Sequence, residues 1–346
     1  MKAIITGGAG FIGSHVAENL LEQGHQVLVL DDLSGGFGDN VPPGADFEKR
    51  SVMDPLDHLF QSYRPNVVYH LAAYAAEGLS HHIPVFNFMN NTVATANVLA
   101  AAYRAGVEHF VFTSSIAAYG HPRENQAFDE TTVCVPCDPY GAAKLACEHY
   151  IESFYSYFGT PAYSIFRPHN VFGPRQNISD PYRNVVGIFM SAVLRKQAMP
   201  VFGDGSQTRS FSYITGVARC IGEAPMTPAA RNTVFNVGGD VPMSVGELAR
   251  HVAEVMGVPA QIRYLPPRKE VQHAHCRHER ARAAFPHVYA EQVDIVTGLK
   301  KMAEYVQSRP VPQVTECPSP IEISDLLPLS WAGRLGLQAP AAIPAD

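Results

Sequence analysis

Apolar and polar positions along the chain fall into two regimes that meet near residue 170. Up to that point, short apolar runs alternate with segments whose apolar residues recur every three or four positions. This is the pattern of a parallel sheet covered by helices on both faces. It predicts strands over 2–6, 26–30, 66–70, 109–113 and 162–167, and helices over 14–23, 84–106 and 140–158. Beyond Arg167 the pattern loosens. Gly173-Pro174, the polar stretch 177–184 and Gly203-Asp204-Gly205 read as loops around one helix over 185–196. Ser244 followed by Glu247 and an apolar-periodic run reads as a capping box opening a helix over 245–256. From Pro310 the chain turns proline-rich and reads as an extended, non-catalytic tail, docked if at all through 321–331. The expected fold class is therefore α/β, a Rossmann-type doubly wound parallel sheet with a smaller C-terminal α/β region. The expected division is 1–170 for the sheet domain, 171–309 for a second, ligand-holding region, and 310–346 as tail. No internal repeat is visible.

Composition narrows the function more than the fold. Apolar residues make up 46% and charged residues 17%, as in an ordinary globular protein. The net charge of −6 gives no electrostatic case for nucleic acid or an anionic membrane. There is no run of 18 apolar residues and no apolar leader, so a cytoplasmic protein is expected. The six cysteines are too scattered for a disulfide framework, and Cys134-Val-Pro-Cys137 has no second pair to complete a metal site. His273-Ala-His275-Cys276-Arg-His278 has the look of a metal cluster, but alternation along a strand would send these groups to opposite faces. No metal site is expected.

The chemistry concentrates at two places. Strand 2–6 runs into Gly7-Gly8-Ala9-Gly10-Phe11-Ile12-Gly13 and then a helix. Glycines there allow a tight turn and a close backbone approach to a pyrophosphate, and the helix N-terminus offers unpaired N–H groups to it. Asp31 and Asp32 end the next strand, at the distance expected of an acid that binds the adenosine ribose. A carboxylate repels a 2′-phosphate, so NAD is favoured over NADP. The second place is Tyr140-Gly-Ala-Ala-Lys144, where i,i+4 spacing sets phenol and ammonium on one helical face. A nearby cation favours the phenolate and predicts a lowered tyrosine pKa, suited to proton exchange with a sugar hydroxyl. The hydroxyls of Thr113-Ser114-Ser115 end a strand at the sheet edge where ligands bind.

Together these motifs resemble the extended short-chain dehydrogenases/reductases that modify nucleotide sugars. The resemblance runs from residue 1 to about 285, through TGGAGFIG at 6–13, HLAA at 70–73, NNTVAT at 90–95, TSSIAAYG at 113–120, YGAAK at 140–144, RPHNVFGP at 167–174 and GDGSQTRSFSYI at 203–214. It implies catalysis by Ser115, Tyr140 and Lys144. It implies an NAD site along Gly7, Gly10, Phe11, Ile12, Gly13, Asp31, Asp32, Val52, Leu71, Ala72, Ala73 and Asn91, with Thr113, Tyr140, Lys144 and His169 at the nicotinamide end. Asn170, Asn184, Arg209 and Arg268, with Ser115 and Tyr140, would hold the substrate, although Asn170 also reads as a loop brace. The implied activity is C4 epimerisation of a UDP-hexose through a 4-keto sugar, by a homodimer. Ile116 and Ala117 stand where the dehydratase branch carries an acid pair, and neither can transfer a proton. Epimerisation of a uronic or N-acetylated sugar, dehydration, and a non-catalytic NAD-binding regulator are the alternatives. Ser51, Ala75 and Thr215-Gly216 depart from the family's usual residues.

Overall fold

A computed structural model describes residues 1–122, 127–267, 271–311, 313–314, 317, 319–328 and 331. Seven strands form one parallel sheet: β1 (Lys2–Thr6), β2 (Gln26–Asp31), β3 (Asp46–Lys49), β4 (Val67–His70), β5 (His109–Thr113), β6 (Ala162–Pro168) and β7 (Thr233–Val237). Their order is β7-β6-β5-β4-β1-β2-β3, the doubly wound Rossmann-type arrangement. The strand order reverses at β1, which pairs with β2 on one side (Thr6 opposite Leu30) and β4 on the other (Thr6 opposite His70). The loops leaving β1 and β4 diverge there and open a crevice at the carboxyl edge, where α/β sheets bind ligands. The central strands β1, β4 and β5 are buried nearly throughout, as strands covered on both faces must be.

Each face packs its own helices. On one, Val16, Ala17 and Leu20 of helix Phe11–Glu22 meet Val217 and Ile221 of helix Ile214–Glu223. On the other, Val98 and Leu99 of helix Ala94–Arg104 meet Cys147 and Ile151 of helix Pro139–Phe158. A third core, with Phe189, Leu248, Val252 and Met302, belongs to the C-terminal region.

The expected helix over 84–106 runs as Pro84–Phe88, a π-helical turn Met89–Val93, and Ala94–Arg104. The capping box at Ser244 is complete: its hydroxyl accepts from Glu247 N, and the Glu247 carboxylate accepts from Ser244 N. Two differences from the expected layout matter. Strand β7 comes from beyond residue 170 yet completes the main sheet beside β6, and helix Ile214–Glu223 covers the same sheet, with Tyr69 Oη donating to Gly222 O at 2.7 Å. The large layer is therefore not confined to residues 1–170. The tail also docks: Leu327 and Trp331 are buried against Tyr74, Leu79 and Ile83.

Candidate functional site

The crevice at the carboxyl edge is a single cavity of about 1960 Å³, well above the ~300–1,000 Å³ of one small-ligand site. It has room for two nucleotide-bearing molecules. One end is made by the glycine loop. Gly7 sits at φ +71°, and a Cβ there would lie 2.7 Å from Ala72 N; a Cβ on Gly13 would lie 2.2 Å from Gly7 O. Both obstacles are backbone and cannot swing aside, so only glycine brings β1, its loop and the following helix this close. That helix opens at Phe11 after Gly10, with no acidic side chain in its first turn. Its first N–H groups, lacking intrahelical acceptors, face an anion site.

Asp31 closes this end. Its carboxylate accepts from Ala9 N at 3.0 Å and Leu33 N at 2.8 Å, so it holds the glycine loop as well as facing the cavity. Burial pushes its pKa up, against the pull of those N–H groups. Asp32 is exposed and accepts from Ser34 N at 2.9 Å. Val52, Leu71, Ala72 and Ala73 continue the wall. A cradle closed to any Cβ, a helix N-terminus and a carboxylate at the end of β2 are what a dinucleotide requires, and the chain fits NAD.

The second end of the same wall carries Thr113, Ser115, Tyr140 and Lys144. Asp138 caps the tyrosine helix, accepting from Gly141 N at 2.8 Å, with Pro139 in its first turn and Gly159 in the left-handed conformation at its end. Tyr140 N donates to Ser80 Oγ at 3.1 Å. Ser115 lies beside the Tyr140 side chain and favours its phenolate, and its Oγ accepts from Ala117 N at 3.1 Å. Beneath them, Lys144 Nζ donates to Thr113 O at 2.8 Å and lies 5.9 Å from the centre of the Tyr140 ring.

The expected lowering of the tyrosine pKa is not what this geometry produces. Burial raises it; Ser115 and Arg183 lower it, and Glu77 and Asp138 raise it further. Burial also brings the Lys144 ammonium down to about 8. Spacing on a helix face puts the two groups near each other, but burial of the phenol outweighs the lowering by Ser115 and Arg183.

Behind Ser115 lies a buried ionic network. Arg167 donates from Nε and Nη2 to the Glu148 carboxylate at 2.9 and 2.5 Å. Ser114 Oγ donates to the same carboxylate, and the guanidinium lies over the Tyr119 ring. This pair locks β6 to the tyrosine helix, and Ser114 ties the end of β5 to the same carboxylate.

Two expected cofactor residues lie outside the lining. Asn91 is buried and braces the 74–76 turn, its Oδ1 accepting from Tyr74 N at 2.9 Å. His169 is buried between Val237 O and Gly239 O and stacks on His278, and burial drops its pKa to about 3. Among the expected substrate residues, Asn170, Asn184 and Arg209 line the cavity and also brace loops. Asn170 Nδ2 donates to Ser210 O, Asn184 Oδ1 accepts from Val186 N, and the Arg209 guanidinium donates to the carbonyls of Val271 and Gln272. Arg268 lies outside the described residues. Arg175, Arg183, Glu77 and the tail residues 323–328 line the cavity as well; only the polarity of the 177–184 loop hinted at Arg183.

Cys134 and Cys137 are free thiols, with burial raising both pKa values. The His273–His278 stretch is split among different neighbours: His273 bonds Thr208, Cys276 packs on Tyr119 and Phe128, and His278 bonds Asp240. Among the described residues no group of three or more His, Cys, Asp or Glu could hold a metal ion, and no helix is long and apolar enough to cross a membrane.

Comparison with known proteins agrees with this geometry. Residues 3–238 match the model of the NAD dependent epimerase/dehydratase family. A UDP-glucose 4-epimerase of Mycolicibacterium smegmatis is 34% identical over 89% of this chain and 99% of its own length. The crystal structure of a Thermotoga maritima UDP-glucose 4-epimerase with UDP-glucose superposes with a TM-score of 0.84, at 34% identity over 89% of this chain and 99% of that one. The Thermus thermophilus UDP-glucose 4-epimerase in complex with NAD gives 0.82 at 32% identity, over the same shares. This chain is a member of the NAD-dependent epimerase/dehydratase family, and its cofactor is NAD.

Proposed function

We propose that the chain interconverts the C4 epimers of a UDP-hexose, with UDP-glucose and UDP-galactose as the pair. The observation that carries this reading is the tyrosine end of the cavity, where Ser115, Tyr140 and Lys144 share one wall and Ile116 and Ala117 follow the serine. That arrangement can move one proton at the Tyr140 Oη; those two apolar side chains supply no acid for eliminating water. Bound along the glycine loop, NAD supplies a reversible acceptor for a hydride from a sugar carbon. Tyr140 Oη takes the proton of the sugar 4-hydroxyl and returns it to the same oxygen after the ring has turned over. Ser115, beside the phenol, assists that transfer with its hydroxyl, and Lys144 supplies positive charge beneath the phenol. In this reading 1–170 carries the NAD contacts. The 171–309 region holds the nucleotide, with Arg183, Arg209, Asn170 and Asn184 toward the diphosphate and Phe202 and Leu265 toward the base.

A homodimer belongs to the same proposal. Tyr103, Tyr150 and Phe158, on helices Ala94–Arg104 and Pro139–Phe158, are 37–44% exposed. The Tyr103 and Phe158 rings lie 4.7 Å apart, tilted by 44°. An exposed aromatic patch of this kind suits a helix-to-helix interface, and light scattering on the purified protein measures it directly.

The reaction is tested by incubating the NAD-loaded protein with UDP-, dTDP- and GDP-sugars and separating the products. Conversion of UDP-galactose to UDP-glucose is expected. A 4-keto-6-deoxy sugar or a pentose product would replace epimerisation by dehydration or decarboxylation. No turnover of any nucleotide sugar, with NAD bound, would leave a regulator.

A further inference from the structure

The C-terminal segment lies beyond the family-matched residues 3–238, yet it is built into the cavity. Its anchor is Glu322. One carboxylate oxygen accepts from Val85 N at 2.8 Å and the other from Phe86 N at 2.9 Å, satisfying N–H groups at the start of helix Pro84–Phe88. Glu322 N donates to His82 O at 2.8 Å, and His82 Nδ1 lies 2.8 Å from Ile323 O. From that clamp the chain runs over the 74–83 segment. Leu327 is 3% and Trp331 6% exposed, and the indole meets Tyr182 edge-on at 5.1 Å. Both side chains also line the cavity.

Their place in the cavity is set by one neighbour. Trp331 meets Tyr182, and Tyr74 shares its apolar cluster. Arg183 lies over the Tyr74 ring at 5.0 Å, and its charge acts on Tyr140. The tail thus backs the 74–83 segment, whose Ser80 Oγ accepts from Tyr140 N at 3.1 Å, and so walls the cavity on the side of the tyrosine helix. Because Leu327 and Trp331 are packed from behind as well, they cannot give way to a larger ligand without breaking that packing.

We propose that residues 321–328 together with Trp331 are a specificity determinant, the rigid wall that limits the substituents of the sugar beside Tyr140 and excludes an N-acetylated hexose. This rests on the nucleotide-sugar reading above, and its test does not require turnover. The NAD-loaded full-length protein and its Trp331→Ala, Leu327→Ala and Glu322→Ala variants are titrated calorimetrically with UDP-glucose and with UDP-N-acetylglucosamine, and turnover of both is measured alongside. Glu322→Ala loosens the clamp without altering a lining side chain, so the test survives if an apolar variant fails to fold. Relative affinity for the N-acetylated ligand should rise roughly tenfold or more in Trp331→Ala, the order expected from relieving a steric pocket wall, and less in Glu322→Ala. A ratio that stays put or falls in every folded variant overturns the proposal, as does a wild-type protein that binds neither ligand. A shifted ratio without turnover in any variant leaves the wall standing and removes the epimerase reading.

Discussion

The two ends of the cavity are built from different material. At the Asp31 end the surface is backbone: glycines pressed to within contact of neighbouring main chain, a helix N-terminus, and a carboxylate held by two amides. At the Tyr140 end it is side chain: Tyr140 beside Ser115, Arg183 over Tyr74, and Trp331 against Tyr182. A backbone-made surface suits a cofactor common to a family, because changing it costs the fold. A side-chain surface can be revised one residue at a time, which suits a substrate that differs between members.

The largest expected effect tests the side-chain end. Tyr140→Phe removes only the proton-bearing oxygen. Turnover should fall by about 10²–10⁴-fold, the contribution of a positioned acid/base, while bound NAD, read from its absorbance after release, stays near wild type. Near-normal turnover would remove Tyr140 from the proton step.

Next comes Gly13→Ala at the backbone end. The new methyl would meet Gly7 O at 2.2 Å, so loop and helix must separate. Stability should drop by about 3 kcal/mol, the upper range for overpacking, and the protein should purify largely without NAD. A variant that keeps both its cofactor and its midpoint in urea would show the loop to be softer than this geometry implies.

Lys144→Met should separate stability from function. The fall of the ammonium from 10.5 to about 8 corresponds to about 3 kcal/mol of burial cost, at about 1.4 kcal/mol for each pKa unit. Losing its hydrogen bond to Thr113 O returns about 1 kcal/mol, so methionine should stabilise the cofactor-free protein by about 2 kcal/mol at pH 7 while turnover is lost. The sign follows from the proton count. Between about pH 8 and 10.5 the unfolded lysine keeps a proton that the folded one has released, so wild-type stability gains with rising pH across that window. The variant's advantage should shrink over the same range, as denaturant midpoints at pH 7 and pH 10 would show. An advantage that does not change with pH would mean the lysine is not paying this desolvation cost.

How far each end could be read from sequence follows the same division. Glycine spacing, the ribose acid, the tyrosine–lysine pair and the Ser244 capping box are local, and local rules place them. What escaped depends on distant chain. Strand β7, five residues of mixed character, joins the sheet only because β6 offers it an edge. Asn91 and His169 sit in stretches shared with the family, but their side chains turn into hydrogen bonds behind the wall. Arg183 and the tail reach the cavity through contacts more than a hundred residues apart in sequence. The tyrosine pKa rises where its spacing from Lys144 predicts a fall, because spacing reports proximity, whereas burial is a property of the whole packed site.

The smallest effect tells the two acids at the cofactor end apart. Asp31 uses both oxygens on backbone amides, while Asp32 is exposed and holds only Ser34 N. Asp31→Asn turns one acceptor into a donor facing an N–H group, so the glycine loop loses an anchor along with the ribose contact proposed for this acid. NAD affinity should fall about tenfold, in line with one charge-assisted hydrogen bond. Asp32→Ala removes a solvated carboxylate and should change affinity by about threefold or less, since exposed charges contribute little. If Asp32→Ala proved the more damaging in a fluorescence titration with NAD, the ribose would be read by the exposed acid and Asp31 would serve the loop alone. The cofactor end would then depend on a side chain as revisable as those beside Tyr140.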